Sequence, residues 1–178
     1  MKLAIFTRGL PGSGKSELVK LLQENFNNVG IYSTDELFVI DGEYKFDENK
    51  LKEYHQKNFE NFVKGLDEKD VVVCDNTNLI FEYVKPYLDA AKKKKFKTIL
   101  VNFIPDDIKL HFKRNIHNVP IEVLLEMKDN FYKEYSKFER AFDKVIKVSP
   151  QDFKKLEKKI EEIKHTLDII KSKYEFNH

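Results

Sequence analysis

The chain lacks the features that a secreted or membrane-embedded protein needs. Among its 178 residues there is one cysteine, Cys74, so no internal disulfide can form and a reducing compartment is favoured. Lys2 and Arg8 bracket only a short apolar stretch at the N-terminus, which is too short for a secretory signal. No apolar run reaches the length that crosses a bilayer. We therefore expect a cytoplasmic protein with no membrane partner.

The chain also lacks a strong net charge and any pattern of metal-binding histidines. Its 32 basic and 30 acidic side chains sum to +2, which neither requires nor excludes a polyanionic partner. The histidines have no metal-ligand spacing, and we assign them no chemistry. A hydrophobic content of 41% and an aromatic content of 13% indicate a packed globule. With no linker, repeat or change in composition, residues 1–178 are expected to form a single domain.

Short apolar runs alternate with helical segments along the chain. These runs are nearly continuous in Val, Ile, Leu and Phe, as in strands that are covered on both faces. Such alternation predicts an α/β fold, a three-layer sandwich around a mainly parallel five-stranded sheet. The predicted strands are Leu3–Phe6, Val29–Tyr32, Val71–Cys74, Thr98–Ile104 and Lys144–Val148.

Helices are predicted after each of the first four strands and at the C-terminus. The starts are Glu17, Asp47, Thr77 or Asn78, the Pro105-Asp106-Asp107 stretch, and Pro120. A last helix, at about 151–173, carries apolar residues spaced by three and four positions on a charged background. This helix either packs on the parent sheet or pairs with a second copy as a homodimeric coiled coil.

The strongest motif lies directly after the first predicted strand. Its eight residues fill the phosphate-binding pattern G-x-x-x-x-G-K-[ST], and a predicted helix follows. Glycines let the backbone amides face phosphate oxygens, Lys15 would bridge the β- and γ-phosphates, and the Ser16 hydroxyl would bind Mg²⁺. The sequence therefore predicts a site for ATP or another nucleoside triphosphate. The motif residues are Gly9, Leu10, Pro11, Gly12, Ser13, Gly14, Lys15 and Ser16.

Two acidic stretches follow the second and third predicted strands. Carboxyl ends of neighbouring parallel strands open onto one crevice, so both stretches are expected beside the γ-phosphate. Asp35, in Ser33-Thr34-Asp35, is the candidate general base for an attacking hydroxyl, with a helix N-cap as the alternative. Asp75 is the candidate magnesium carboxylate. The acceptor side would comprise Asp75, Asn76, Thr77 and Asn78, with an Asx turn as the alternative.

A basic helix end lies further along the chain, before Val119 and Pro120. It suits a mobile lid that closes cations over the triphosphate. Arg114 is the candidate for holding transition-state charge, because a guanidinium pairs bidentately with phosphate oxygens. The alternative is a solvated basic face of the helix.

Taken together, these motifs resemble the P-loop polynucleotide kinase family, that is, the bacteriophage-type 5′-hydroxyl kinases and related domains. The likeness runs from Met1 to about Phe138 and includes residues 8–16, 33–35, 41–46 and 75–79, with Arg114-Asn115 and Val119-Pro120. It implies transfer of the γ-phosphoryl group of ATP, with Mg²⁺, to the 5′-hydroxyl of RNA or DNA in nucleic-acid repair or processing. The resemblance also implies that Asp35 is the general base and that Arg114 lies in the lid. This chain has Phe38 where the phage-type enzyme has an arginine, and its lid is shorter.

Two other functions fit the same residues. One is a kinase of a small hydroxylated metabolite or a tRNA-linked amino acid, since the same catalytic parts serve any alcohol. The other is an ATP-binding regulatory module with little transfer activity. An oligonucleotide acceptor would need a basic or aromatic groove that leads to Asp35, and its stacking faces would come from Tyr32, Phe38, Tyr44 and Phe46.

Overall fold

A computed structural model of the chain describes residues 2–176. Five strands form one parallel sheet, in which β1 is central and the order is β2-β5-β1-β6-β7. This confirms the predicted α/β fold with a five-stranded parallel sheet. The strands are β1 (Leu3–Arg8), β2 (Val29–Tyr32), β3 (Val39–Ile40), β4 (Glu43–Tyr44), β5 (Val71–Asp75), β6 (Lys97–Phe103) and β7 (Lys144–Val148).

Eight α-helices accompany these strands in the described part of the chain, and two short 3₁₀ helices cover Asp35–Phe38 and Glu48–Lys50. No helix in residues 2–176 has both the length and the apolar character that a membrane span requires. The helices are α1 (Lys15–Asn25), α2 (Leu51–Glu68), α3 (Phe81–Lys93), α4 (Ile108–Arg114), α5 (Ile121–Lys133), α6 (Tyr135–Ala141), α7 (Pro150–Phe153) and α8 (Leu156–Phe176).

Hydrophobic cores cover both faces of the sheet. Leu3 and Ile5 point to the core that contains side chains of α1 and α8. Ala4 and Phe6, the intervening residues of β1, point to the core formed with α2, α3 and α6. Because successive strand side chains face opposite ways, burial on both faces requires an unbroken apolar run.

The C-terminal helix packs on the chain's own sheet, which was the first of its two predicted arrangements. Ile163 and Leu167 are buried in the same core as the α1 side chains, and Ile160 is also buried. The apolar side of α8 is therefore covered within the chain, and pairing of two copies through this helix is not shown. A capping box in which Ser149 and Asp152 exchange hydrogen bonds begins α7 immediately before it.

A small antiparallel hairpin, β3–β4, stands apart from the main sheet. The sequence analysis predicted no strands there, and Asp41 and Gly42 have φ angles of 53° and 80°. Phe38, which is 1% exposed, anchors the hairpin because its ring contacts those of Tyr44, Phe46 and Tyr54. The predicted start of α3 also differs, since the helix begins at Phe81.

Candidate nucleotide and acceptor site

The phosphate loop extends from the carboxyl end of the central strand β1 to α1. Gly12 and Gly14 have φ angles of 76° and 98°, which side chains other than glycine rarely adopt. The Ser13 hydroxyl donates to the Leu10 carbonyl at 2.6 Å and closes the loop. No side chain caps the start of α1, so the first backbone amides of the helix are available to an anion.

Lys15 lies inside this loop. Its ammonium group donates to the carbonyl oxygens of Gly9 at 2.7 Å and Leu10 at 2.8 Å. Burial lowers the pKa of Lys15 to about 8, and the negative charges of Asp75 and Asp35 oppose that shift. Lys15 is thus within the electrostatic reach of both carboxylates that the sequence singled out.

Asp75 ends β5, directly beside Thr7 of β1 in the sheet register. The Thr7 hydroxyl donates to Asp75 Oδ1 at 2.9 Å. Burial raises the pKa of Asp75, with further increases from Asp35 and Glu36, while the Thr7 hydrogen bond and Lys15 act in the opposite direction. A cation beside Asp75 would relieve this unfavourable burial of charge.

The oxygen groups present fit Mg²⁺. Ser16 is exposed at the start of α1, and the Asp75 carboxylate lies at the end of the neighbouring strand. No group of three or more His, Cys, Asp or Glu side chains that could hold a metal occurs among residues 2–176. The Ser16 hydroxyl and the Asp75 carboxylate suit Mg²⁺, which typically takes one or two protein ligands and completes its octahedron with phosphates and water.

Asp35 lies after β2, at the start of a 3₁₀ helix, and is exposed. The residue before it, Thr34, is buried, and its backbone amide donates to Asn76 Oδ1 at 3.0 Å. The Thr34 hydroxyl is 3.1 Å from His55 Nδ1. Asn76 therefore links the loop that carries Asp35 to the loop that carries Asp75.

Asn78 differs from the expectation that it faces an acceptor. It is 8% exposed and has a φ of 52°, and its amide donates to the carbonyls of Thr7 at 2.7 Å and Cys74 at 3.2 Å. This use of its side chain within the fold explains why α3 does not begin there. Thr77 contributes its carbonyl, which accepts from the Gly9 amide at 3.1 Å. Both residues support the phosphate loop.

Arg114 ends α4, which packs against the phosphate loop. A Cβ on Gly12 would lie 2.8 Å from the Cβ of Arg114. The guanidinium carbon is 3.7 Å from the centre of the Phe153 ring, and an N–H group is 3.7 Å from the Asp106 carboxylate. Arg114 thus lies on the nucleotide side of the site, and its role at the transition state stays a prediction.

Arg8 is a supporting residue whose role the sequence analysis did not identify. Its side chain is fully buried between the rings of Phe131 and Phe138, at 4.1 and 4.0 Å. It donates to the carbonyls of Asn78 and Leu79, both at 3.1 Å, and to that of Phe131 at 2.9 Å. An arginine at the end of an otherwise apolar strand was the available signal.

The loop from 115 to 119 faces the β3–β4 hairpin. Asn115 closes this loop, because its amide donates to the Val119 carbonyl at 3.2 Å and its oxygen accepts from the Val119 amide at 3.0 Å. The rings of His117 and Tyr44 have centroids 4.1 Å apart and an interplanar angle of 39°. Of the four predicted stacking residues, Phe38 is buried and Tyr32 packs against Gly65 inside the fold.

Comparison with known proteins is decisive for the family. Residues 1–165 match the family described as "Chromatin associated protein KTI12". The chain belongs to the KTI12 family. This match extends into α8 and so includes the phosphate loop, both carboxylates and α4. The specific polynucleotide kinase family is not confirmed, and the expected cytoplasmic location stays a prediction.

Two human proteins show the relationship of this KTI12-family chain to larger proteins. NEDD4-binding protein 2 of Homo sapiens is 39% identical over 135 residues, which are 71% of this chain and 7% of that protein. YLP motif-containing protein 1 of Homo sapiens is 24% identical over 155 residues, 73% of this chain and 7% of that protein. The chain therefore spans about 7% of the length of either relative.

Solved structures show the P-loop kinase fold. Shikimate kinase from Acinetobacter baumannii, solved with shikimate, superposes with a TM-score of 0.61 at 14% identity, covering 97% of this chain and 95% of that one. A chain of the Pnkp1/Rnl/Hen1 RNA repair complex also gives 0.61, at 12% identity over 76% of this chain and 46% of that chain. These likenesses support a phosphotransferase type of fold and leave the acceptor open.

Proposed function

We propose that this KTI12-family chain is an ATP- and Mg²⁺-dependent kinase that acts on a hydroxyl, with the 5′-hydroxyl end of RNA or DNA as the acceptor. The observation that carries the proposal is the meeting of two carboxylates at the phosphate loop. Asp35 and Asp75 both act on the charge of Lys15, and Asn76 joins the loops that carry them. Nucleotide binding alone does not explain an exposed carboxylate at this position.

On the donor side, the loop amides and Lys15 would hold the β- and γ-phosphates. Binding would draw the Lys15 ammonium from the Gly9 and Leu10 carbonyls to phosphate oxygens. Ser16 and Asp75 would hold Mg²⁺, which supplies positive charge to the phosphate oxygens. Arg114, beside Gly12, would add a second cation from α4.

On the acceptor side, Asp35 would orient the attacking hydroxyl and accept its proton. A bond forms between the acceptor oxygen and the γ-phosphorus. The bond from that phosphorus to the bridging oxygen breaks, and ADP leaves with the electron pair. Asp35 is exposed, so an acceptor from solvent can reach it.

An acceptor with planar bases is supported by the surface around Asp35. Phe46, two residues after the hairpin, is 55% exposed, and the ring of Tyr44 in β4 packs against that of His117 in the 115–119 loop. Aromatic rings next to the catalytic carboxylate provide stacking faces for unpaired bases. The RNA repair complex among the structural neighbours agrees with this choice of acceptor.

An ATP-binding regulatory module is the second candidate. It is favoured by the family description, which names chromatin association, and by the lid. Residues 116–118 contain no lysine or arginine, and Arg114 contacts Asp106 and Phe153. A metabolite kinase is the third, because the superposition with shikimate kinase extends over nearly the whole of both chains.

The test is transfer of label from γ-labelled ATP with Mg²⁺ to 5′-hydroxyl RNA, 5′-hydroxyl DNA, a mixed tRNA preparation and a panel of small alcohols. We expect label at the 5′ end of RNA or DNA, and none with the Lys15→Met variant. Label in a small alcohol alone would favour the metabolite kinase. ATP binding by calorimetry without transfer to any acceptor would favour the regulatory module.

A further inference from the structure

Tyr44 is the residue that contacts the proposed general base. Its hydroxyl donates to Asp35 Oδ1 at 3.5 Å, across the gap between the β3–β4 hairpin and the end of β2. Burial, and then the charge and hydrogen bond of Asp35, raise the pKa of Tyr44 to about 12. The phenol is therefore protonated at neutral pH and acts as the donor.

This hydrogen bond has the form that an acceptor would make. In both cases an O–H group donates to Asp35, and under the proposed function the Tyr44 oxygen stands in for the attacking oxygen of the acceptor. Tyr44 itself is poorly suited to accept the phosphoryl group, because its ring is held by neighbours on two sides. The Phe38 ring packs edge-on against the Tyr44 ring, with 6.3 Å between the ring centroids. The His117 ring also packs against Tyr44, with 4.1 Å between the centroids.

The loop from 115 to 119 holds His117 against Tyr44. The paired hydrogen bonds of Asn115 with Val119 close the loop, and Asn118 has a φ of 54°. His117 Nδ1 is buried and has no hydrogen-bond partner among residues 2–176. Leaving a buried ring nitrogen without a partner is unfavourable. An incoming polar group that bonds to this nitrogen can therefore displace the contact between His117 and Tyr44.

We propose that Tyr44 is a specificity-determining residue that selects the acceptor against water. Its hydroxyl stays hydrogen-bonded to Asp35, with the His117 ring packed against its own ring, until the hydroxyl of an acceptor replaces it. The inference rests on the proposed function. While Tyr44 is in place, its hydroxyl competes with water for Asp35 Oδ1. Hydrolysis would need the same step as transfer, with water forming the new bond to phosphorus and giving its proton to Asp35 while ADP leaves. An acceptor that stacks on the hairpin displaces the Tyr44–His117 contact and gains both Asp35 and the ring faces.

The test measures ATP hydrolysis with Mg²⁺ and no acceptor in the full chain. Tyr44→Phe keeps the ring and its packing but removes the hydroxyl. We expect it to raise hydrolysis about three- to tenfold, because a water can then donate to Asp35. The matched control is Tyr54→Phe, which removes a hydroxyl from a ring that also packs on Phe38. A second variant, His117→Ala, should raise hydrolysis in the same direction, since it removes the backing of Tyr44.

The increase must disappear when Asp35→Asn is added to Tyr44→Phe, and the affinity for ATP must stay within about twofold of the unchanged protein. Hydrolysis by Tyr44→Phe that equals that of Tyr54→Phe overturns the inference, as does an increase that survives Asp35→Asn. These results leave the proposed function standing if transfer to 5′-hydroxyl RNA persists. Failure of the unchanged protein to bind ATP in calorimetry contradicts the proposed function itself, and the inference with it.

Discussion

The proposed donor and acceptor sides of the site lie at the same ends of neighbouring strands, but they are built from different parts. The phosphate loop lies at the end of the central strand and is supported by buried groups, with Arg8, Thr77 and Asn78 bonded into it or beneath it. The acceptor side rests on a hairpin of two residues per strand and an exposed carboxylate. Its main contacts are between aromatic rings.

Because of this difference, we expect the phosphate loop to determine nucleotide binding and the hairpin side to determine the choice of acceptor. A loop made of backbone amides recognises the phosphate chain that all nucleoside triphosphates share. A surface made of side chains on a thin hairpin can change without disturbing the core. Accordingly, changes on the donor side should remove ATP binding and everything that depends on it, whereas changes on the acceptor side should remove transfer and spare binding.

The largest effect is expected from Lys15→Met on the donor side. Without the ammonium group, the phosphate charges lose their buried partner, and ATP turnover should fall by about a thousandfold or more. The measurement is steady-state release of ADP, with ATP affinity by calorimetry. Lys20→Met, an exposed lysine of the same helix, is the control. Turnover within about twofold of that control would contradict the phosphate-loop mechanism.

On the acceptor side, Asp35→Asn should lower transfer by about a hundredfold and leave ATP affinity nearly unchanged. The amide can still accept a hydrogen bond from the hydroxyl but cannot take its proton. Transfer and binding are measured on the same preparation, with the exposed neighbour Glu36→Gln as control. Parallel loss of transfer and affinity would remove the distinction between the two sides.

Stability should show the same contrast between the two sides. Arg8→Met leaves three buried carbonyl groups without their donor, and we expect it to lower the free energy of unfolding by about 3 kcal/mol. Phe46→Ala, at an exposed position just after the hairpin, should cost about 1 kcal/mol or less. Both are measured by urea denaturation, with exposed Arg140→Met as the control for loss of charge. Equal losses in the free energy of unfolding for Arg8→Met and Phe46→Ala would contradict the difference in how the two sides of the site are supported.

The smallest effect is in the pH dependence of the donor side. The pKa of Lys15 is about 8, below its ordinary 10.5, and bound phosphate favours the charged amine. Affinity for ATP should therefore fall by up to about tenfold between pH 7 and pH 9. In the free protein, the cost of burying the charge is present below pH 8, so its removal stabilises the fold as the pH rises from 8 to 10.5.

Calorimetry in two buffers with different ionisation heats would detect the proton taken up when ATP binds at pH 8.5. Lys15→Met must abolish this uptake. Uptake that persists in the variant would assign it to another group and contradict the position given to Lys15.

The fold was largely predictable because a strand that is buried on both faces of a sheet is a continuous apolar run, which can be recognised in the sequence. The bounds of β2 and β7 agree with prediction at both ends, and β1 and β5 begin where predicted. The strand order and the β3–β4 hairpin were not predictable, since order depends on contacts between distant segments. Four residues of pairing in the hairpin also leave no periodic signal.

The candidate site was predictable only where chemistry and spacing coincide. Lys15, Ser16 and the two carboxylates follow from a motif and from the ends of predicted strands, and their roles stay predictions. Arg8 and Tyr44 could not be identified in this way. The meaning of Arg8 depends on two rings more than 120 residues away, and that of Tyr44 on a hydroxyl that crosses from the hairpin to β2. Asn78 was misplaced because an asparagine at positive φ supports the loop from beneath.

The hydrogen bond from the Thr34 amide to Asn76 has a consequence for how the two carboxylates move. It ties the segment after β2 to the residue after β5, so we expect a tilt of β2 to displace Asp35 and Asp75 together. We then expect the distance between Asp35 and Asp75, the proposed proton acceptor and metal ligand, to be preserved when the sheet bends. An uncharged amide performs this coupling, and it adds no third anion to a place where two negative groups already repel each other.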